Sequence, residues 1–252
     1  MIVNLIFNIL EAIAAIIVPV GAIYYIKNKF GAKLRNAFDG TAVYLIFYCL
    51  VYAVISTYLQ VVVGIFNEIE SDIWPVIINA ALETICVAIG YLIWFKYAVK
   101  KQQDNGVGLM TGVGFSSLLL FISHAVPSVV NVVLCIIYMK NPQASVWVVF
   151  EENVSQIFNS TPQKIFFDLL EMIALFVFET AFATVFYRVV KCENRKMWLI
   201  LSMLLRISAY IVIRMTDFSH DSVIFFILAA ITVVLTGIAY SLVKPFQAKK
   251  ED

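Results

Sequence analysis

The run VGLMTGVGFSSLLLFISHAVPSVVNVVLCIIY, residues 107–138, decides which solvent this chain folds in. It contains no aspartate, glutamate, lysine or arginine. As a helix it is longer than the roughly 20 residues needed to cross the hydrocarbon core of a bilayer, which is about 30 Å thick. The run therefore predicts a membrane-spanning helix.

The rest of the chain has the same apolar character. Of its 252 residues, 62% are hydrophobic and only 14% are charged, and the mean hydropathy is +0.91. A soluble domain of this length has too little interior for so much apolar surface, so lipid must serve as part of the solvent. No basic stripe carries interleaved aromatic residues, which argues against binding to nucleic acid.

Six further apolar runs are long enough to cross a membrane. The seven predicted spans are residues 2–26, 38–66, 74–99, 107–138, 163–190, 197–215 and 221–243. We expect Pro127 to bend the fourth span. No stretch between the spans is long enough for a soluble domain. The sequence therefore predicts an all-α, polytopic membrane helix bundle that forms a single domain over residues 1–252.

Charge in the connecting segments predicts how the bundle is oriented. The segments after spans one, three, five and seven are basic and carry Lys27, Lys29, Lys33, Arg35, Lys96, Lys100, Lys101, Arg188, Lys191, Arg195, Lys196, Lys244, Lys249 and Lys250. The alternate loops are acidic and carry Glu68, Glu70, Asp72, Glu151, Glu152, Asp217 and Asp221. Because basic residues favour the cytoplasmic side, we place the N-terminus outside and the C-terminus in the cytoplasm. The short loops favour a bacterial plasma membrane.

Ionisable residues within the spans are the candidates for function, because a charge in the membrane is costly and needs a partner or a water-filled cavity. They are Glu83, His124, Glu171, Glu179, Arg206 and Arg214, with Glu11 as a weaker seventh. Two interpretations remain open. These groups form ion pairs that hold the helices together, or they line a polar pocket for a ligand or an ion.

Spacing predicts partners for four of these charges. Glu171 and Glu179 are eight residues apart, so they share one face of span five. Arg206 and Arg214 have the same spacing on span six, which runs antiparallel to span five after a short turn. Matching depths predict a Glu179–Arg206 pair and, nearer the outer side, a Glu171–Arg214 pair. For His124 we expect a neutral imidazole bonded to a backbone or serine group.

The start of the fourth span is rich in glycine. Gly108, Gly112 and Gly114 fall within ten residues of one another. Small residues at such a spacing are typical of closely packed membrane helices, but the pattern also fits a ligand contact or the remnant of a catalytic motif.

Several segments together resemble the YhfC-type family of intramembrane metalloproteases. They include the N-terminal span with its basic turn YYIKNKFGAKLRNAFDG at residues 24–40, and AALETICVAIGYLIWFKYAVKK at residues 80–101. In the second segment the family usually has two adjacent glutamates and then an arginine. Glu83 matches the first glutamate, Thr84 replaces the second, and Gly90 lies near the arginine position. In span five the resemblance pairs a glutamate with a histidine eight residues later; here these positions hold Glu171 and Glu179.

The glycine-rich stretch resembles the family pattern Gly-x-Gly-His-Gly-x-x-Glu. Gly112 and Gly114 match its first two glycines. Phe115 stands at the histidine position and Leu119 at the glutamate position, and neither side chain can bind a metal or move a proton. A catalytic zinc needs about three protein ligands and an open water position. The resemblance therefore implies a degenerate member without catalytic residues, metal or cofactor.

Three functions follow from this interpretation. The first is a pseudoprotease that acts by binding, as a regulator, an immunity factor or a subunit of a membrane complex. Its partners would be the lipid bilayer and another membrane protein, such as a transporter or an export complex. The alternative is a subunit of a small-molecule or peptide transporter, with the six ionisable residues around a polar pocket. The third is a divergent enzyme that holds a metal with Glu83, Glu171, Glu179 and His124.

Overall fold

The computed structural model describes residues 2–63, 73–99, 105–140, 161–191, 196–214 and 221–247. These residues form seven long helices: α1 (Ile2–Phe30); α2 (Leu34–Val43, continuing through Tyr44–Tyr52 and Ala53–Tyr58 to Leu59–Val63); α3 (Ile73–Ile93, continuing through Trp94–Ala98); α4 (Asn105–Leu120, Phe121–Ala125 and Val126–Lys140); α5 (Pro162–Lys191); α6 (Lys196–Arg214); and α7 (Asp221–Gln247). The segments Tyr44–Tyr52, Leu59–Val63, Trp94–Ala98 and Phe121–Ala125 are π-helical.

All seven helices are long and apolar enough to cross a membrane. This confirms the predicted all-α polytopic bundle and the number of spans. The 19 residues of α6 extend about 28 Å at 1.5 Å per residue, which matches the hydrocarbon core. The orientation stays a prediction, because the length and composition of the helices do not show which end of the bundle faces the cytoplasm.

Local sequence signals set two of the helix ends. Gly31 follows α1 with a φ of 64°, in the left-handed region that glycine adopts without a steric penalty. At the start of α5, the Thr161 hydroxyl accepts a bond of 3.2 Å from the backbone N–H of Lys164. Pro162 occupies the first helical position, where its missing N–H costs nothing.

Helix α5 lies at the centre of the bundle and α2 lies partly at its edge. In the most apolar 18-residue window of α5, 61% of the residues are buried, whereas the corresponding window of α2 has none. Helix α5 packs against α1, α3, α4, α6 and α7. Glu179, Thr180 and Thr184 on α5 are therefore buried in protein, while much of α2 is left for lipid or for a partner.

Glycines bring α4 close to two neighbours. A Cβ atom on Gly114 would overlap the carbonyl oxygen of Ala37 on α2, and one on Gly112 would lie 2.8 Å from the Cα of Thr180 on α5. Contacts this short leave no room for a side chain. The glycine-rich stretch therefore has the packing role that was one of its three interpretations.

Near Pro127 the structure shows a local change in the helical hydrogen bonding of α4. The π-helical segment Phe121–Ala125 lies directly before it. Proline has no N–H to give to the carbonyl of Ser123, four residues earlier, so regular α-helical bonding is interrupted there. This wide turn carries His124.

Candidate functional site

Arg206 lies at the centre of a polar cluster inside the bundle. Its Nε donates to Glu179 Oε1 at 3.0 Å and its Nη2 to Glu83 Oε1 at 3.1 Å. Its Nη1 donates to Thr84 Oγ1 at 3.2 Å. Arg206, Glu83 and Glu179 are all fully buried. The predicted Glu179–Arg206 pair is confirmed, and it belongs to a larger network.

Aromatic rings complete the surroundings of Arg206. The Tyr210 hydroxyl donates to Glu179 Oε1 at 2.7 Å. The Tyr210 ring centroid lies 4.3 Å from the guanidinium carbon, and the Phe182 centroid lies 5.4 Å from it. Such ring faces stabilise a desolvated cation through their quadrupoles. The guanidinium is thus bonded at three nitrogens and flanked by two rings.

Arg214 extends the cluster toward the end of α6. Its Nη2 donates to Glu83 Oε2 at 2.6 Å and to the Tyr52 hydroxyl at 3.2 Å. The predicted partner of Arg214 was Glu171, and the structure places Glu83 there. Helix α6 packs against α3 as well as α5. The Arg214 side chain points toward α3, so it meets Glu83 and not Glu171. Two carboxylates and two guanidiniums meet in the cluster, so its formal charges cancel.

Four helices contribute to this arrangement. Arg206, Tyr210 and Arg214 follow one another at intervals of four residues, which places them on one face of α6. Glu179 comes from α5, Glu83 and Thr84 from α3, and Tyr52 from α2. Along α2 the rings of Tyr44, Tyr48 and Tyr52 are stacked at centroid distances of 4.8 Å and 5.6 Å.

Phe115 packs in an aromatic layer next to the cluster. Its ring centroid lies 5.2 Å from that of Tyr44 and 5.6 Å from that of Tyr91. The Tyr91 centroid lies 6.1 Å from that of Phe182, whose ring flanks Arg206. Leu119, one turn after Phe115, is also buried in this core. Five motif positions therefore face the same interior of the bundle: Glu83, Thr84, Phe115, Leu119 and Glu179.

His124 belongs to a different polar contact. Its Nδ1 lies 2.9 Å from Glu11 Oε1, and Asn131 donates to Asn8 at 3.2 Å nearby. The expectation of a backbone or serine partner for His124 was wrong, because the π-helical turn directs the ring at the carboxylate of α1. Glu171 is half-buried on α5, eight residues before Glu179.

The described residues include no group of three or more His, Cys, Asp or Glu side chains that could hold a metal ion. The proposed metal set of Glu83, Glu171, Glu179 and His124 is therefore wrong. Three of its members are divided between two polar contacts: Glu83 and Glu179 bond Arg206, whereas His124 bonds Glu11.

The structure also shows a cavity that lies apart from the six candidate residues. That cavity has a volume of about 550 Å³ and lies beside α1, α4, α5 and α7. None of the six appears in its wall. Glu83, Glu179, Arg206 and Arg214 bond within the cluster, and His124 bonds Glu11. These bonds argue against a transporter-like polar pocket at the Arg206 cluster.

The sequence did not predict the polar contacts that three hydroxyl groups make in the cluster. Neither Tyr210 nor Tyr52 was among the candidate residues, and Thr84 was considered only as a replaced glutamate. For Tyr210 a signal was available, because it lies four residues from both Arg206 and Arg214 on the same helix face. For Tyr52 and Thr84 no spacing within one helix predicts the contact.

Residues 14–231 match the model of a protein family described as YhfC intramembrane metalloprotease. The matched segment contains the whole Arg206 cluster and every motif position discussed above, whereas Glu11 lies outside it. No curated protein matches the chain significantly, and no solved structure does.

Proposed function

Because the chain belongs to the YhfC intramembrane metalloprotease family, we propose that it is a protease-like membrane protein that acts by binding and does not cleave peptides. One observation carries this proposal. The Arg206 guanidinium bonds both Glu83 and Glu179, which stand at the family's first glutamate position on α3 and at its histidine position on α5. A fixed protein cation takes up the charges that a metal ion would need.

The residues present do not fit a catalytic metal. A hydrolytic zinc site uses about three histidine, cysteine or carboxylate ligands and keeps one position for water. Phe115 and Leu119 offer only carbon atoms. The two buried carboxylates are already neutralised, and the guanidinium between them would repel a second cation at short range. We therefore assign no metal-dependent step to this site.

The binding role follows from what remains of such a protein. A seven-helix frame without hydrolytic groups still presents a large intramembrane surface, and the apolar window of α2 has no buried residue. We propose another membrane protein as the partner, for example a transporter or an export complex. The chain would then be a regulator, an immunity factor or a subunit, in a bacterial plasma membrane.

Metal analysis and a cleavage assay test the loss of catalysis. We expect the protein purified in detergent to contain no stoichiometric zinc and to leave unstructured and membrane-embedded peptides intact after zinc is added. Glu83→Gln is the control. Stoichiometric zinc together with cleavage, both lost in Glu83→Gln, would overturn the proposal.

Site-specific photo-crosslinking in native membranes tests the binding role. A photoreactive side chain replaces Val54 on α2 or, as the matched position, Leu204 on α6; both are exposed to the membrane, by 63% and 56%. We expect a protein adduct of constant mass from position 54 and only lipid adducts from position 204. Lipid adducts alone at both positions would contradict a stable partner on α2.

A further inference from the structure

The 550 Å³ cavity opens on the side of the bundle, between α1 and α7, with α4 and α5 as its floor. Its wall is mostly apolar and includes Ile26, Val113, Phe176 and Ala181, all of which are largely buried. Its volume lies within the roughly 300–1,000 Å³ typical of ligand pockets. The cavity is therefore large enough for a flexible apolar chain.

The two hydroxyl groups in its floor are already bonded. Thr184 Oγ1 donates to the backbone carbonyl of Thr180 at 2.8 Å, and Thr180 Oγ1 lies 3.2 Å from Ser116 Oγ. Neither hydroxyl needs a polar ligand. The floor therefore favours hydrocarbon over a polar solute.

One end of the cavity is basic and aromatic. Lys29 lies in the last turn of α1, where a span meets the headgroup layer, and its Nζ lies 2.6 Å from the Tyr25 hydroxyl. Tyr240 of α7 lines the cavity as well, and both tyrosines are more than half exposed. Tyrosines and a lysine at the end of a span are the residues that contact lipid headgroups.

The dimensions match one leaflet. On α5 the wall runs from Phe176 to Thr184, eight residues or about 12 Å along the helix axis. Half of a hydrocarbon core about 30 Å thick is about 15 Å. The cavity thus extends from the headgroup level at Lys29 through most of one leaflet.

We propose that this cavity binds an anionic phospholipid, with one acyl chain against the apolar floor and the phosphate at the Lys29 ammonium. The assignment rests on the position of Lys29 over an apolar recess of leaflet depth. It does not depend on whether the protein cleaves peptides. A transmembrane helix of a partner or a second copy of the chain has no use for an ammonium group at that end of the cavity.

Native mass spectrometry of the protein released from nanodiscs tests the headgroup contact. The nanodiscs contain phosphatidylcholine with a minor fraction of phosphatidylglycerol. We expect phosphatidylglycerol among the retained lipids at about fivefold its bulk fraction, which one basic residue near the headgroups can supply. Lys29→Gln abolishes this enrichment, and Lys27→Gln, which removes a charge two residues away and outside the cavity, preserves it. Equal lipid composition in the parent and Lys29→Gln would overturn the proposal.

A second pair of variants tests the acyl chain and does not depend on charge. Thr236 lines the cavity from the exposed side of α7, and Val233 lies one turn earlier, outside it. Thr236→Phe fills the recess, so we expect it to lose the retained lipid, whereas Val233→Phe keeps it. Both sites are exposed, so folding is preserved. An unchanged lipid count in Thr236→Phe, or a dimer mass that replaces the lipid, would also overturn the proposal.

Discussion

Arg206 shows how a full charge is tolerated in the interior of a membrane protein. The guanidinium is 0% exposed, yet it bonds two carboxylates and a hydroxyl and lies against two aromatic rings. Desolvation of a charge costs several kcal/mol, and only a matched network offsets that cost. Each member of the network therefore depends on the others, and single substitutions should be far more harmful than the loss of one contact.

Removal of Arg206 alone is expected to be strongly destabilising. Arg206→Met leaves Glu83 and Glu179 buried without their common cation, which should lower the free energy of unfolding by about 3–5 kcal/mol. Arg206→Lys keeps the charge but lacks the three-directional geometry, so its loss should be intermediate. Unfolding in mixed micelles measures both. If Arg206→Met were as stable as the parent, the network would be dispensable.

Two tyrosines with different hydroxyl environments give a matched comparison. The Tyr210 hydroxyl bonds the Glu179 carboxylate at 2.7 Å, and a hydrogen bond to a charged group contributes about 1.5–3 kcal/mol. The Tyr91 hydroxyl is buried and has no hydrogen-bond partner among the described residues. We expect Tyr210→Phe to lower the melting temperature and Tyr91→Phe to leave it unchanged or raise it. The reverse order would show that the assigned donor is wrong.

The sequence predicts how deep a charged side chain lies in the membrane better than it predicts which neighbouring helix the side chain faces. The Glu179–Arg206 pair could be predicted because both residues lie about nine or ten positions from the same short turn. The partner of Arg214 could not, because depth does not specify whether a side chain turns toward α3 or α5. The partner of His124 was not predicted for a similar reason: the direction of its ring depends on the π-helical turn before Pro127.

At the scale of helices, the apolar runs predict how many helices the chain forms and that these helices span a membrane. Seven stretches of sufficient length and hydropathy leave little choice in a bilayer, where every backbone group must be bonded within its own segment. The helix ends differ from the predicted span bounds by up to four residues where the structure describes them, and the π-helical segments were not predicted. Both depend on contacts between helices and on the loss of single hydrogen bonds. The pattern of apolar residues along the sequence does not predict either.

The close approach of α4 and α2 gives a prediction at this scale. A side chain on Gly114 would overlap the backbone of Ala37, whereas nothing lies within 4 Å of a Cβ on Gly21 of α1. We expect Gly114→Leu to separate the two helices and to reduce the yield of folded protein. Gly21→Ala should be neutral or slightly stabilising, because alanine has the higher helix propensity. Thermal unfolding in detergent distinguishes the two, and equal melting temperatures would contradict the packing role.

For the whole molecule, two separate sets of charged contacts connect the helices among the residues that the structure describes. The Arg206 cluster joins α2, α3, α5 and α6, while Glu11–His124 and Asn8–Asn131 join α1 to α4. The family match covers the first set completely and excludes Glu11. The two sets share no partner, so their contributions to stability should be independent.

Combined variants test this independence. Replacing a whole buried ion network by uncharged groups is often tolerated, whereas breaking it at one residue is not. We therefore expect Glu83→Gln and Glu179→Gln, added to Arg206→Met, to recover part of the lost stability, with a coupling of about 1–3 kcal/mol. Glu11→Gln added to Arg206→Met should recover nothing, and its own effect should simply add, within about 0.5 kcal/mol. A recovery by Glu11→Gln equal to that of Glu179→Gln would mean that bulk negative charge, and not the specific network around Arg206, sets the stability of the bundle.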